Sequence, residues 1–162
     1  MDPDFDASKE SILAASRATS LLFVQSTTSK GRSVWDFATA FFVAPNLLLT
    51  AGHAALDPPD TVRTERWLFL PGTPFLDMDQ ITSHTPCAAR CTVVETNYKV
   101  GGVGIKDLAV LSSGNFETQN FLKLSSDPVP LKAIVDIVGY PGEKRKMWLR
   151  EKHPDLKSGS YR

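Results

Sequence analysis

The segment 41–56, FFVAPNLLLTAGHAAL, constrains the fold of this chain more than any other stretch. Its first apolar run stops at Pro45-Asn46, and a second run, 47–49, leads directly into Thr-Ala-Gly-His53. Two apolar runs separated by turn residues predict a β-hairpin. The residues on both sides of His53 are small, so the backbone can turn tightly there. We therefore expect the imidazole to point out of the sheet at the end of the second strand.

Two further stretches are informative because they follow the histidine in a fixed order. The segment 106–111, KDLAVL, places Asp107 at the start of an apolar strand, 54 residues after His53. The segment 138–142, VGYPG, is a strand end followed by a Gly-Tyr-Pro turn. The residues themselves thus predict a histidine at the end of one apolar strand and a carboxylate at the start of another.

These three stretches resemble the trypsin-like serine peptidases. In that family a strand ends in Thr-Ala-Ala-His-Cys, and this chain has Gly52 for the second alanine and Ala54 for the cysteine. The Asp107 segment resembles the Asp-Ile-Ala-Leu-Leu strand that carries the family's aspartate. The Gly-Tyr-Pro turn resembles the start of the second barrel in the glutamyl-endopeptidase-like and fungal branches. The resemblance covers roughly residues 20–142.

The resemblance implies a catalytic role for two residues. His53 is expected to be the general base that removes a proton from a serine hydroxyl, because imidazole changes its charge near neutral pH. Asp107 is expected to orient the imidazole and to stabilise the imidazolium that forms. The substrate implied is a peptide or protein. No cofactor and no metal ion are expected in this chemistry.

The nucleophile of such a peptidase is missing from the sequence. The family's Gly-x-Ser-Gly-Gly motif does not occur in the 162 residues. The serines that follow Asp107 lie in other contexts: Ser112, Ser113, Ser125, Ser126, Ser158 and Ser160. We therefore expect the chain to be an N-terminal fragment that is inactive alone.

The spacing of the apolar runs predicts an all-β fold. About six strands fall before residue 115, and the resemblance makes them a trypsin-like first β-barrel followed by the beginning of a second barrel. The predicted division is an acidic segment with a short helix (1–19), the first barrel with His53 and Asp107 (20–120), and the start of the second barrel (121–162). A helix is predicted at 8–18 and a helical turn at 54–60. Strands are predicted at 21–24, 34–44, 47–49, 67–70, 90–96, 106–111 and 133–138, with a further helix at 143–152.

Composition excludes some partners and favours one compartment. Hydrophobic residues make up 42% of the chain, which suffices for a packed core. Lys plus Arg and Asp plus Glu each number 18, so there is no charge excess to attract nucleic acid or an anionic membrane. No apolar run approaches the roughly 18 residues of a membrane-spanning helix. The acidic N-terminus lacks the features of a signal peptide, so we expect a cytoplasmic protein.

The only two cysteines, Cys87 and Cys91, stand with His84 in an H-x₂-C-x₃-C pattern. Structural zinc needs four ligands and usually a second close pair, which this sequence lacks. Two unpaired thiols are the preferred interpretation. The three tryptophans, Trp35, Trp67 and Trp148, are interpreted as core anchors.

Two functional hypotheses follow. The first is a trypsin-like serine endopeptidase domain with a catalytic His and Asp and no serine. The second is a non-catalytic half-domain that binds a partner chain, which would complete the second barrel by strand addition.

Overall fold

The fold comes from a computed structural model, which describes residues 3–56, 61–72, 85–96, 107–128, 130 and 138–140. The residues in these ranges form one helix of four turns, one helical turn and six strands. In chain order these are α1 (Pro3–Ala18), β1 (Thr19–Thr28), β2 (Ser33–Ala44), β3 (Leu47–Thr50), α2 (Gly52–Ala55), β4 (Thr61–Leu70), β5 (Cys87–Thr96) and β6 (Asp107–Ser112).

The six strands close into a barrel in the order β1-β2-β3-β6-β5-β4. Every neighbouring pair is antiparallel, including the β1–β4 pair that closes the barrel. Closure gives every strand of the ring a hydrogen-bonded neighbour on both sides, although β4 and β5 pair only over Trp67–Phe69 and Cys87–Ala89. The predicted all-β fold, with a six-stranded barrel and an N-terminal helix, is confirmed.

Alternation along the strands fills the barrel interior with apolar side chains. Phe42 of β2 and Phe69 of β4 are fully buried there, and Phe116 packs on both, with ring centroids 5.4–5.8 Å apart. The other buried members of this interior cluster are Leu22, Val24, Ala40, Leu48 and Leu111. This interior supplies the rigid scaffold for the strand ends.

Strand β1 is buried on its outer face as well. Leu21 and Phe23 point away from the interior and pack with Trp35 and Leu70 in a second cluster, which Tyr140 also contacts. The Tyr140 backbone N–H donates to the Thr39 hydroxyl at 3.0 Å. The segment 138–140 therefore lies against β2.

Several boundaries differ from prediction, and polar side chains explain the largest differences. β1 continues to Thr28 rather than ending at residue 24, and β4 begins at Thr61 rather than at residue 67. The extra residues of β1 are polar, but their side chains have partners across the sheet. Gln25 donates to Ser33 at 2.8 Å, and the hydroxyl of Ser26 to that of Thr64 at 3.4 Å. Hydrogen bonds thus replace apolar burial in this part of the barrel.

Helix α1 begins at Pro3 rather than at residue 8. Its last turn packs tightly beside the end of β4. A Cβ atom added at Gly72 would lie 1.8 Å from the Arg17 carbonyl oxygen, so only glycine fits at that contact.

The remaining predicted elements lie outside the described residues. They are the strand at 133–138 except Val138, the helix at 143–152 and the tail that follows it. The division of the chain at residues 19 and 120 stays a prediction.

Candidate active site

His53 and Asp107 meet at one end of the barrel because of the register between β3 and β6. Antiparallel pairing sets Thr50 opposite Ala109. The chain therefore leaves β3 towards His53 at the same end where Asp107 enters β6. The other end of the barrel carries the Pro45-Asn46 turn, so the two ends are chemically different.

His53 lies on the helical turn α2, directly after β3. The last residue of β3, Thr50, is buried, and its hydroxyl donates to the Thr39 carbonyl oxygen at 2.9 Å. Within the turn, the Leu56 N–H donates to the Gly52 carbonyl oxygen at 3.0 Å. The helical turn was predicted at 54–60, but it spans Gly52–Ala55 and so includes His53.

The earlier start of α2 has a physical cause on β6. Ala51, which precedes the turn, has no side-chain oxygen to accept the first N–H groups of the helix. The Asp107 carboxylate takes that role from another strand, because its Oδ1 accepts the His53 backbone N–H at 2.8 Å. A carboxylate is favoured at this end of a helix, where the peptide dipoles are positive.

The second carboxylate oxygen of Asp107 binds the imidazole. Oδ2 lies 2.6 Å from His53 Nδ1, a distance typical of a charge-assisted hydrogen bond. One carboxylate therefore fixes both the backbone and the ring of the same residue. The Asp107 side chain is 20% exposed and the His53 side chain 52% exposed, so the pair faces the surface through the ring.

The surroundings of Asp107 favour its ionised form. Partial burial acts to raise the pKa of Asp107, but it is outweighed. The backbone N–H of His53, the ring of His53 through its hydrogen bond and its charge, and the backbone N–H of Gly52 together lower the pKa of Asp107 below its ordinary value. The carboxylate is therefore negative at neutral pH.

An ionised carboxylate on Nδ1 determines which imidazole nitrogen can act as a base. The carboxylate accepts a hydrogen bond, so the neutral ring carries its proton on Nδ1. Nε2 then holds the lone pair that can accept a proton. The arrangement can remove a proton from a hydroxyl within hydrogen-bond reach and stabilise the resulting imidazolium.

The first two serines after Asp107, Ser112 and Ser113, lie far from this pair. Ser112 follows Asp107 by five positions in an extended strand, which places it about 17 Å away along β6. Ser113 is buried at the opposite end of the barrel and donates to the Phe116 carbonyl oxygen at 2.5 Å. Ser125 and Ser126 are exposed in the segment after the barrel. Ser158 and Ser160 lie outside the described residues.

Cys87 and Cys91 lie on β5 as thiols that form no disulfide, and both pack against the interior cluster. Four residues of extended strand separate their Cα atoms by about 13 Å, too far for a disulfide or for one shared zinc ion. Burial raises the pKa of the Cys87 thiol. His84 lies outside the described residues, and the described part of the chain contains no cluster of three metal-ligating side chains.

Two contacts that support the site were not predicted from the sequence. One is the Thr50–Thr39 hydrogen bond; the other runs from the Trp67 indole N–H to the Ala55 carbonyl oxygen at 2.9 Å. Thr50 belongs to the quoted motif, but nothing in the sequence identifies its acceptor. Trp67 was interpreted as a core anchor, and it does pack against the interior cluster.

The chain is similar to known proteins in structure, whereas sequence comparisons find no match. No protein-family model matches the chain, and no curated protein does. Among solved structures, the Rv3671c protease of Mycobacterium tuberculosis in its active form matches at a TM-score of 0.47 and 14% identity. The match covers 80% of this chain and 44% of that protease, so the chain spans less than half of its length. Because the TM-score and the identity are this low, we assign nothing to the chain from that protein.

The helices within the described ranges are α1 and α2. None of them combines the length and the apolar character needed to span a membrane.

Proposed function

We propose that this chain is the first-barrel part of a trypsin-like serine endopeptidase, in which His53 is the general base and Asp107 orients it. The observation that carries the proposal is the double contact of one carboxylate with His53, at 2.6 Å to the ring and 2.8 Å to the backbone. A carboxylate that served only to cap a helical turn would not need the ring contact. The ring contact is the one that catalysis requires.

In the proposed reaction, Nε2 of His53 takes the proton of a serine hydroxyl as its oxygen attacks the peptide carbonyl carbon. Asp107 stays ionised and stabilises the imidazolium. The imidazolium then gives the proton to the leaving amine, and the same two transfers with water release the acyl group. Both residues are held at ends of strands in a closed barrel, which limits their movement.

The serine is proposed to come from a part of the natural protein outside these 162 residues. Removing the nucleophile from this chemistry lowers turnover by a factor on the order of 10⁶. The 162-residue chain alone is therefore expected to show no useful peptidase activity. Substrate preference depends on the same missing part and is not proposed.

The alternative, a half-domain that recruits a partner chain by strand addition, gains no support from the barrel. Strand addition needs an open sheet edge, whereas β1 to β6 follow one another in a closed ring. The alternative places the partner strand on the unfinished second barrel.

The test is activity-based labelling of the natural protein. An antibody raised against the 162-residue chain captures the protein from its native cells, and a biotinylated fluorophosphonate then labels active serine nucleophiles. We expect a labelled species, and we expect heat denaturation before labelling to abolish the signal. A captured, folded protein that takes up no label would contradict the proposal.

A further inference from the structure

The helical turn that carries His53 is too short to hold its own orientation. α2 has four residues, and a helix of this length is unstable in water because forming the first turn costs more than its hydrogen bonds return. The direction of the imidazole must therefore be set by contacts between α2 and the barrel.

Two of these contacts lie on the N-terminal side of α2. The Thr50 hydroxyl anchors the last residue of β3 to β2, and Asp107 on β6 accepts the His53 backbone N–H. With these two contacts alone, the C-terminal part of the turn could still pivot about Asp107. Such a pivot would change the position of the imidazole relative to Asp107, because the ring and the backbone N–H of His53 bind the same carboxylate.

A third contact lies at the C-terminal end of α2. Ala55 is fully buried, and its carbonyl oxygen is among the last of the turn, which have no acceptor role inside the helix. The Trp67 indole N–H donates to that oxygen at 2.9 Å. A buried carbonyl without a donor is unfavourable, so this bond satisfies a real requirement of the backbone.

The donor itself is fixed to the barrel. Trp67 lies on β4 between Val24 of β1 and Ala89 of β5, and its side chain packs against the interior cluster. An indole has only two side-chain torsions, so packing leaves its N–H little freedom. Trp67 and Asp107 thus hold α2 from two different strands, on its two ends.

From these contacts we propose that Trp67 is a positioning residue for His53: its hydrogen bond to Ala55 fixes the helical turn and so holds the imidazole against Asp107. The proposal deepens the proposed function and rests on it for its catalytic meaning. The geometric part can be measured without catalysis. Trp67 is expected not to touch substrate.

The experiment follows the proton between His53 Nδ1 and Asp107 by NMR in the full 162-residue chain labelled with ¹⁵N-histidine. The chain has 3 histidines, and His53→Ala assigns the signal. The rate at which this proton exchanges with water is measured in the wild type, in Trp67→Phe and with benzothienylalanine at position 67. The last residue keeps the shape of indole but replaces the N–H with sulfur. Trp35→Phe is the matched control, because Trp35 is a buried tryptophan of the same barrel that packs in the outer cluster.

We expect both replacements of Trp67 to speed exchange by about fivefold or more, the factor that loss of one hydrogen bond of about 1 kcal/mol produces. Trp35→Phe is expected to leave the rate unchanged. Unchanged exchange in a folded Trp67 variant would overturn the proposal, and so would equal acceleration by Trp35→Phe. If neither replacement folds, the wild type decides: an indole proton of Trp67 that exchanges as fast as in free tryptophan would show that the bond does not form.

Failure of the proposed function gives a different result. If the NMR signal of the proton between His53 Nδ1 and Asp107 is absent from the wild type, or persists in Asp107→Asn, the hydrogen bond between the two side chains does not form. The proposed catalytic pair is then wrong. If the signal behaves as expected but does not respond to Trp67, only the positioning role is wrong.

Discussion

Replacing Asp107 removes two hydrogen bonds to one residue, and the cost to folding can be worked out from their surroundings. The bond from the His53 backbone N–H has an ionised acceptor, and a hydrogen bond to a charged group contributes about 1.5 kcal/mol. The ring contact involves a half-exposed imidazole and contributes about 0.5 kcal/mol. We therefore expect Asp107→Ala to lower the free energy of unfolding by about 2 kcal/mol.

Asp107→Asn provides the matched control, because it keeps the size of the side chain and one oxygen acceptor. The amide oxygen can still accept the His53 N–H, but without the charge, so we expect a loss of about 1 kcal/mol. Urea unfolding of the 162-residue chain at pH 7, followed by tryptophan fluorescence, measures both differences. If Asp107→Ala unfolds at the same urea concentration as the wild type, the carboxylate does not hold α2.

The same contacts predict a pH dependence. The pKa of Asp107 is lower in the folded chain than its ordinary value, so ionised Asp107 stabilises the fold. This contribution is complete above the ordinary carboxyl range, about pH 4, and disappears as the pH falls through the lowered pKa. The stability difference between the wild type and Asp107→Asn should therefore shrink as the pH falls below about 4. A difference that stays constant down to pH 2 would contradict the assignment.

Two further predictions concern the barrel. Phe42→Ala should lower the free energy of unfolding by about 3–5 kcal/mol, because it removes the ring at the centre of a buried aromatic cluster. Leu124→Ala is the control: this side chain is 71% exposed, so the change should be less than about 0.5 kcal/mol. Equal effects of the two substitutions in a urea titration would contradict the described interior. Cys87 should react with iodoacetamide at pH 8 more slowly than a cysteine in a short peptide, because its raised pKa keeps the thiol protonated. The alkylation rate is measured in Cys91→Ser, where Cys87 is the only thiol. A rate equal to that of the peptide cysteine would contradict the burial of Cys87.

The local parts of the fold could be predicted because the signal lies in neighbouring residues. The Pro45-Asn46 turn between two apolar runs predicts the β2–β3 hairpin, and the structure has strands on both sides of it. The apolar run after Asp107 likewise predicts β6. In each case a short stretch of sequence contains both the strand and its end.

The parts that could not be predicted depend on partners distant in the sequence. Strand β1 was expected to stop at residue 24, yet its polar end stays in the sheet because Gln25 and Ser26 find hydrogen-bond partners on β2 and β4. The start of α2 is set by Asp107, 54 residues away, rather than by its own capping residue. The acceptor of the Trp67 indole has no sequence signal at all.

In the candidate site, too, the features with a local sequence signal could be predicted and those that depend on distant partners could not. The motif stretches identified His53 and Asp107, and the structure brings the two side chains into contact. Their catalytic roles stay predictions, which the labelling and hydrolysis experiments test. The part of the site that supports the imidazole, Thr50 and Trp67, emerged only from the tertiary contacts.

The most direct test of the central claim is peptide hydrolysis by the natural protein that contains this chain. The wild type, His53→Ala and Asp107→Asn are each incubated with a library of short unstructured peptides, and products are quantified by mass spectrometry. If His53 is the base and Asp107 orients it, the wild type cleaves peptides, His53→Ala has no measurable activity, and Asp107→Asn loses a factor on the order of 10⁴ because the ring adopts the wrong tautomer. Cleavage by Asp107→Asn within tenfold of the wild-type rate, or by His53→Ala at all, would contradict the claim.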